Sequence, residues 1–156
     1  MSDGITIGRA DTGDIETLTE FNMAMARETE DRDLDETTVK DGVRTLMEHP
    51  EYGFYLIAWS ENGSPVGTLM ITYEWSDWRN GLFWWIQSVY VTEKFRRRGI
   101  YTAMHSRVRE MALNNPEVCG LRLYVDELNT IARTVYESLE MQGTSYRIFE
   151  EEFSAG

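Results

Sequence analysis

Val89-Tyr90-Val91-Thr92-Glu93-Lys94-Phe95-Arg96-Arg97-Arg98-Gly99-Ile100-Tyr101-Thr102 is the stretch whose reading decides the fold. Just upstream, residues 82–91 (LFWWIQSVYV) are apolar on both faces, which predicts a central strand covered from both sides. Downstream, Ile100, Met104, Val108, Met111 and Ala112 recur at helical spacing until Asn114-Asn115-Pro116 ends the helix. A buried strand therefore runs through a basic loop with one glycine straight into a helix. The first N–H groups of a helix lack intrahelical partners and lie at the positive end of its dipole, where a Ser, Thr, Asp or Asn usually caps them. Here Arg97, Arg98 and Gly99 precede the helix, and none of their side chains accepts a hydrogen bond. A bound anion fills that role at many helix N-termini. An isolated Arg triplet reads as three solvated charges; one placed between a buried strand and an uncapped helix points to a polyanionic ligand.

Charge distribution supports that placement. The 156-residue chain has 15 Lys+Arg against 27 Asp+Glu, a formal charge of −12, which argues against a general affinity for nucleic acid or anionic membrane. Residues 91–113 nevertheless hold six basic against two acidic residues, whereas residues 1–51 hold 14 acidic against five basic. That basic footprint is narrow for an RNA-binding module. With 42% hydrophobic residues the chain supports a packed core, and its length suits one domain over residues 1–156. No apolar run reaches the roughly 20 residues of a membrane span, and the N-terminus lacks a secretory pattern. Cys119 is the single cysteine, which fits a reducing cytoplasm.

Working outward, residues 4–8 alternate as a short strand, and Ile15, Leu18, Phe21 and Met25 mark a helix after Asp11–Asp14. An acidic loop from Glu28 to Glu36 leads to a second helix with Val39, Val43, Leu46 and Met47 on one face, stopped by His49-Pro50. Residues 52–59 and 65–75 flank Glu61-Asn62-Gly63-Ser64 as a hairpin, and Trp75 to Asn80 turns the chain into residues 82–91. Residues 118–125 predict another strand, Asn129 caps a last helix facing inward with Ala132, Val135, Tyr136 and Leu139, and residues 145–153 predict a closing strand. The order is β-α-α-β-β-β-α-β-α-β. The scatter of His49, His105 and Cys119 gives no metal-ligand spacing, and a lone His105 reads as a surface or half-buried residue.

The sequence resembles the GNAT superfamily of acetyl-CoA-dependent N-acetyltransferases. Arg96-Arg97-Arg98-Gly99-Ile100-Tyr101 matches the signature Gln/Arg-x-x-Gly-x-Gly/Ala at its first two defined positions, with Tyr101 replacing a small residue at the third. A second block, Asn129-x-x-Ala132-x-x-x-Tyr136, lies on the helix after the next strand, and the element order agrees over nearly the whole chain. The resemblance implies an α/β (α+β) fold with a mixed, mostly antiparallel sheet flanked by helices. It implies that Arg96, Arg97, Arg98, Gly99, Ile100, Tyr101 and Thr102 wrap the coenzyme A pyrophosphate, and that the edge of Val89, Tyr90 and Val91 pairs with the pantetheine arm. A splay between that strand and residues 121–125 would admit the arm. Asn129, Ala132 and Tyr136 complete the coenzyme site, Tyr136 also being the acid for the departing thiolate and a backbone N–H near Val89 the oxyanion donor.

Acetyl transfer also needs an amine free of its proton. Many relatives place a Glu where Gln87 and Ser88 stand; neither takes up a proton at neutral pH, so they hold a relaying water or a carboxylate among Glu28, Glu30, Glu74 and Asp77 serves. Glu28, Glu30, Asp31, Asp33, Asp35 and Glu36 make a cation-attracting rim, and Trp75 and Trp78 suit an ammonium or its alkyl chain. The tryptophans equally suit a core. The arrangement of His49-Pro50, hairpin and tryptophan turn is similar to polyamine acetyltransferases, pointing to a small cationic amine as substrate. The alternative is a non-catalytic acetyl-CoA-binding or regulatory domain on the same fold, permitted by Gln87, Tyr101 and Glu140. Dimerisation is common among relatives, so a homodimer is expected.

Overall fold

The computed structural model describes residues 4–153. Strands β1 (Thr6–Arg9), β2 (Gly53–Trp59), β3 (Pro65–Ser76), β4 (Gly81–Val91) and β5 (Val118–Leu123) form one sheet in the order β1-β2-β3-β4-β5. All pairs are antiparallel except β4 with β5, which is parallel. Helices α1 (Ile15–Glu30) and α2 (Glu36–Glu48) lie between β1 and β2, α3 (Ile100–Leu113) between β4 and β5, and α4 (Thr130–Ser138) after β5. The mixed α/β architecture with a mostly antiparallel sheet flanked by helices is the one the family resemblance implies.

Local chemistry sets the boundaries. Asp11 accepts from the Gly13 N–H at 2.9 Å while Asp14 accepts from the Asp11 N–H at 2.8 Å, a reciprocal cap that starts the chain into α1. Asp35 caps α2 through the Thr38 N–H at 3.0 Å. Between β2 and β3, Asn62 Oδ1 accepts from the Ser64 N–H at 3.1 Å and Gly63 takes φ +87°, the hairpin tip that Asn62-Gly63 announces.

Strand alternation divides the core in two. Leu18, Val43 and Leu46 of α1 and α2 bury against Tyr55 and Ile57, while Phe54, Leu56, Leu69, Ile71, Trp84 and Ile86 pack with Ile100, Met104 and Val108 of α3. Gly67 lets α3 sit directly on β3, because a Cβ there would meet Ile100 Cγ2 at 3.1 Å and Met104 Cε at 3.3 Å. The start of α3, where the basic loop ends, is thereby fixed against the sheet.

The chain divides into two compact units, one up to Tyr124 and one from Val125. Four expectations need correction. Residues 145–153 form no strand, and Phe149 is 94% exposed. β5 stops at Leu123 rather than 125. Helix α1 continues through Glu30, so Glu28 and Glu30 are helical and only residues 31–35 connect it to α2. His105 is 1% exposed and belongs to the buried face of α3. Among the described residues no helix is long and apolar enough to cross a membrane.

Candidate active site

Ladder register makes β4 unusual at its C-terminal end. Met70 pairs with Gln87 and Thr68 with Tyr90, so Ser88 and Val89 together oppose Leu69 in a bulge, with Ser88 at φ +50°. On the other side, pairing with β5 ends at Ile86 and Leu123. Gln87, Ser88, Val89, Tyr90 and Val91 therefore continue past the last rung of that ladder, with no strand of the described residues paired to them on that side. The resemblance implies a splay against residues 121–125; residues 121–123 are instead paired with residues 84–86, and the ladder ends there.

The open edge leads into the basic loop. After a single 3-10 turn over Glu93–Phe95, Arg97 takes φ +63° and Gly99 φ +76°, ψ 15°, a left-handed conformation natural for glycine and strained for arginine. Gly99 is the N-cap of α3 and no side chain caps the helix. The N–H groups of Ile100, Tyr101 and Thr102 open the first turn at the positive end of the helix dipole. Arg97 and Arg98 flank it as exposed cations, Arg98 lying 5.0 Å above the Phe95 ring. Tyr101, at the motif's small position, directs its hydroxyl along the helix to His105 Nδ1 at 3.1 Å. Burial and then the Arg109 charge hold the His105 pKa below its usual 6.5, so the imidazole is neutral at pH 7.

Arg96 makes protein contacts of its own. Its Nε donates to the Val91 carbonyl at 2.8 Å and its Nη2 to Glu28 Oε1 at 2.5 Å. Glu28 Oε2 accepts from the Tyr90 hydroxyl at 2.7 Å. These donors, Tyr90 first and Arg96 second, hold the Glu28 carboxyl below its usual 4.5. Burial, then the Glu28 contact, raises the Tyr90 phenol.

On the same sheet face, Gln87 Nε2 donates to Thr72 Oγ1 at 2.5 Å. Further along, Glu74 Oε1 accepts from Trp85 Nε1 at 3.0 Å and Arg122 Nη1 at 2.6 Å, and Trp85 lies against Tyr124 with ring centroids 4.5 Å apart. This polar row was not legible as a unit, because its members come from three strands. Among the described residues no group of side chains is arranged to hold a metal ion.

The unit after Tyr124 carries the second motif. Asn129 Oδ1 accepts from the Ala132 N–H at 3.1 Å and so caps α4, as its position predicts. Ala132, Val135, Tyr136 and Leu139 are its half-buried positions. Burial raises the Tyr136 phenol above its ordinary 10.0.

The residues expected to receive the substrate do not converge. Glu28 contacts Tyr90 near the end of β4, whereas Trp75 pairs with Leu82 near its beginning. Eight residues of strand separate those positions, roughly 25 Å. Glu30 shares the end of α1 with Glu28; Asp77 and Trp78 follow Trp75 in the turn between β3 and β4. Trp75 and Trp78 are 59% and 89% exposed and fill no core.

The β4–β5 ladder thus ends beside a bulged strand that feeds an uncapped, arginine-flanked helix. Residues 15–141 match the acetyltransferase (GNAT) family, and the chain belongs to that family. It is accordingly an acyltransferase enzyme. A solved structure described as a possible acetyltransferase from Clostridium difficile 630 is 38% identical, superimposes with a TM-score of 0.89, and covers 97% of this chain and 99% of its own. A predicted acetyltransferase with acetyl-CoA from Clostridium acetobutylicum is 20% identical with a TM-score of 0.78, over 94% of this chain and 96% of its own. A ribosomal-protein-alanine N-acetyltransferase from Brucella melitensis biovar Abortus 2308 is 16% identical with a TM-score of 0.75, over 96% and 99%. The latter two share the fold. No curated protein matches the chain.

Proposed function

We propose that the protein is an N-acetyltransferase that moves an acetyl group from acetyl-CoA to a primary amine, a small cationic one, by direct attack on the thioester. The observation that carries the reading is the unpaired edge of β4 beyond Ile86, running through the bulge at Ser88 and Val89 into the glycine-headed start of α3. These residues fit the coenzyme. An extended edge at Val89, Tyr90 and Val91 complements the amides of a pantetheine arm. Arg97, Arg98 and the N–H groups of Gly99 to Thr102 complement a diphosphate. The Clostridium acetobutylicum relative described with acetyl-CoA has the same fold.

Acetyl-CoA supplies an activated acyl thioester; the chain supplies the rest. The Val89 N–H, within the bulge, donates to the carbonyl oxygen as charge develops on it. Gln87, its Nε2 engaged by Thr72, keeps Oε1 to accept a hydrogen bond from the amine or from a water that passes the amine's proton to solvent. Tyr136, with its raised pKa, stays protonated at neutral pH and donates to the sulfur. Asn129 and Ala132, by fixing the start of α4, set where Tyr136 stands.

The cationic amine is supported by the acidic stretch at Glu30–Glu36. A homodimer in the cytoplasm is the proposed setting, with light scattering as the check on assembly. Thiol release from acetyl-CoA, measured with polyamines, amino acids, aminoglycosides and peptide N-termini, tests the activity. Release is expected with the polyamines. Coenzyme binding without amine-dependent release from any of them sinks the proposal and favours a regulatory domain.

A further inference from the structure

We propose that Glu28 is a positioning residue for the coenzyme loop, in place of the acceptor-side or proton-accepting role its sequence position suggests. Both of its carboxylate oxygens are engaged, Oε1 by Arg96 and Oε2 by Tyr90. The two donors belong to the two parts that must be held in register: Tyr90 to the open edge of β4, Arg96 to the loop before α3. Arg96 is anchored a second time, through Nε to the Val91 carbonyl, and its guanidinium lies 5.5 Å from the Tyr90 ring centroid. Phe21 of α1 also packs against that tyrosine, ring centroids 5.2 Å apart. The last turn of α1 thus grips the strand end and the loop together.

The grip has a physical purpose. Arg97 sits at φ +63°, a conformation a non-glycine residue keeps only where its surroundings impose it. Arg96, immediately before it, is tied to the body of the protein on two sides. Without Glu28, Arg96 loses its contact with α1 and the loop regains freedom that coenzyme binding must remove. A carboxylate so close to a phosphate site repels the ligand unless a cation lies between them, and Arg96 occupies that place.

The inference rests on the reading that the loop holds acetyl-CoA, and the test separates the two. Calorimetric titration with CoA and competition with pantetheine, which lacks the diphosphate, are compared in the wild type, Glu28→Gln, Tyr90→Phe and Glu28→Gln in an Arg96→Lys background. Glu28→Gln is expected to lower the ratio of CoA affinity to pantetheine affinity roughly three- to tenfold, the scale of losing a charged hydrogen bond that is partly open to solvent. Its further effect in the Arg96→Lys background is expected to be smaller than in the wild type, because lysine keeps the charge but loses the forked guanidinium that reaches Glu28 and the Val91 carbonyl together. If Glu28→Gln fails to fold, Tyr90→Phe carries the test, with an expected fall of about twofold in the same ratio. Wild-type binding of CoA with an unchanged ratio in the variants overturns the positioning role alone. Equal losses for CoA and pantetheine reduce Glu28 to a general structural contact, and tighter CoA binding makes it a repulsive charge. No CoA binding by the wild type overturns the coenzyme reading and this inference with it.

Discussion

Replacing Gly99 by alanine tests whether the shape of the loop, and not merely its charge, serves the coenzyme. Gly99 holds φ +76° and ψ 15° at the head of α3. An L-residue is disfavoured there by about 1–2 kcal/mol. That energy must emerge in one of two places. If the folded loop keeps its conformation without ligand, stability falls by that amount, or about 2–4 °C of melting temperature per kcal/mol. If the loop relaxes, coenzyme binding must restore the shape, and the dissociation constant rises by about 5- to 30-fold at RT ≈ 0.59 kcal/mol. The loop is exposed at Arg97, Arg98 and Gly99, so the second outcome is expected. Gly63 provides the control, because it has φ +87°, lies at the hairpin tip, and would place an added Cβ with nothing within 4 Å of it. Gly63→Ala should lower the melting temperature and leave CoA affinity alone. Calorimetric titration with CoA and thermal unfolding of both variants make the comparison. Gly99→Ala with wild-type CoA affinity refutes the claim that the left-handed start of α3 is part of the coenzyme site.

Other outcomes follow from single contacts. Tyr136→Phe should lower turnover by about two to four orders of magnitude, the scale of general acid catalysis, with CoA affinity within about twofold; steady-state kinetics and titration check it, and an equal loss in affinity makes Tyr136 a coenzyme contact instead. Gly120→Ala should destabilise the fold by about 1–3 kcal/mol, because its Cβ would lie 2.7 Å from Phe83 Cε1; urea unfolding measures this, and an unchanged midpoint contradicts it. His105 has a depressed pKa in the folded protein, so the unfolded chain binds the additional proton first. Stability should therefore fall as pH drops below the unfolded value of about 6.5, and His105→Gln should flatten the fall between pH 7.5 and 5.5. A variant with the wild-type slope contradicts the assignment. Glu28 titrates in the opposite manner. Its depressed carboxyl contributes stability at pH above 4.5, lost only as the pH falls through the lower folded value, so its contact with Arg96 is expected to be constant from pH 5.5 to 8.

What the sequence disclosed, and what it concealed, follows from the range of the interactions. The strand, loop and helix around residues 82–112 were legible because apolar periodicity and a missing cap are local properties. Asn129 was legible as a cap for the same reason. Glu28 was read as part of an acidic loop because its partners lie 62 and 68 residues away. The bulge at Ser88 escaped notice, since serine gives no sign of positive φ and the doubled residues show only against β3. Tyr101 and His105 stand four residues apart on one helix, so their pairing was within reach, but it requires asking where a large ring goes when it replaces a small residue. Residues 145–153 alternate like a strand, yet alternation describes a preference for a pleated surface; the three consecutive glutamates at 150–152 oppose pairing, and no strand forms.

The central claim is that the open edge of β4 and the start of α3 together receive acetyl-CoA, and backbone hydrogen exchange with and without CoA tests it most directly. Slowed exchange is predicted at residues 88–91 and 99–102, with little change in the turn at residues 77–80. Protection that leaves those two segments untouched, or that falls elsewhere on the sheet, contradicts the account.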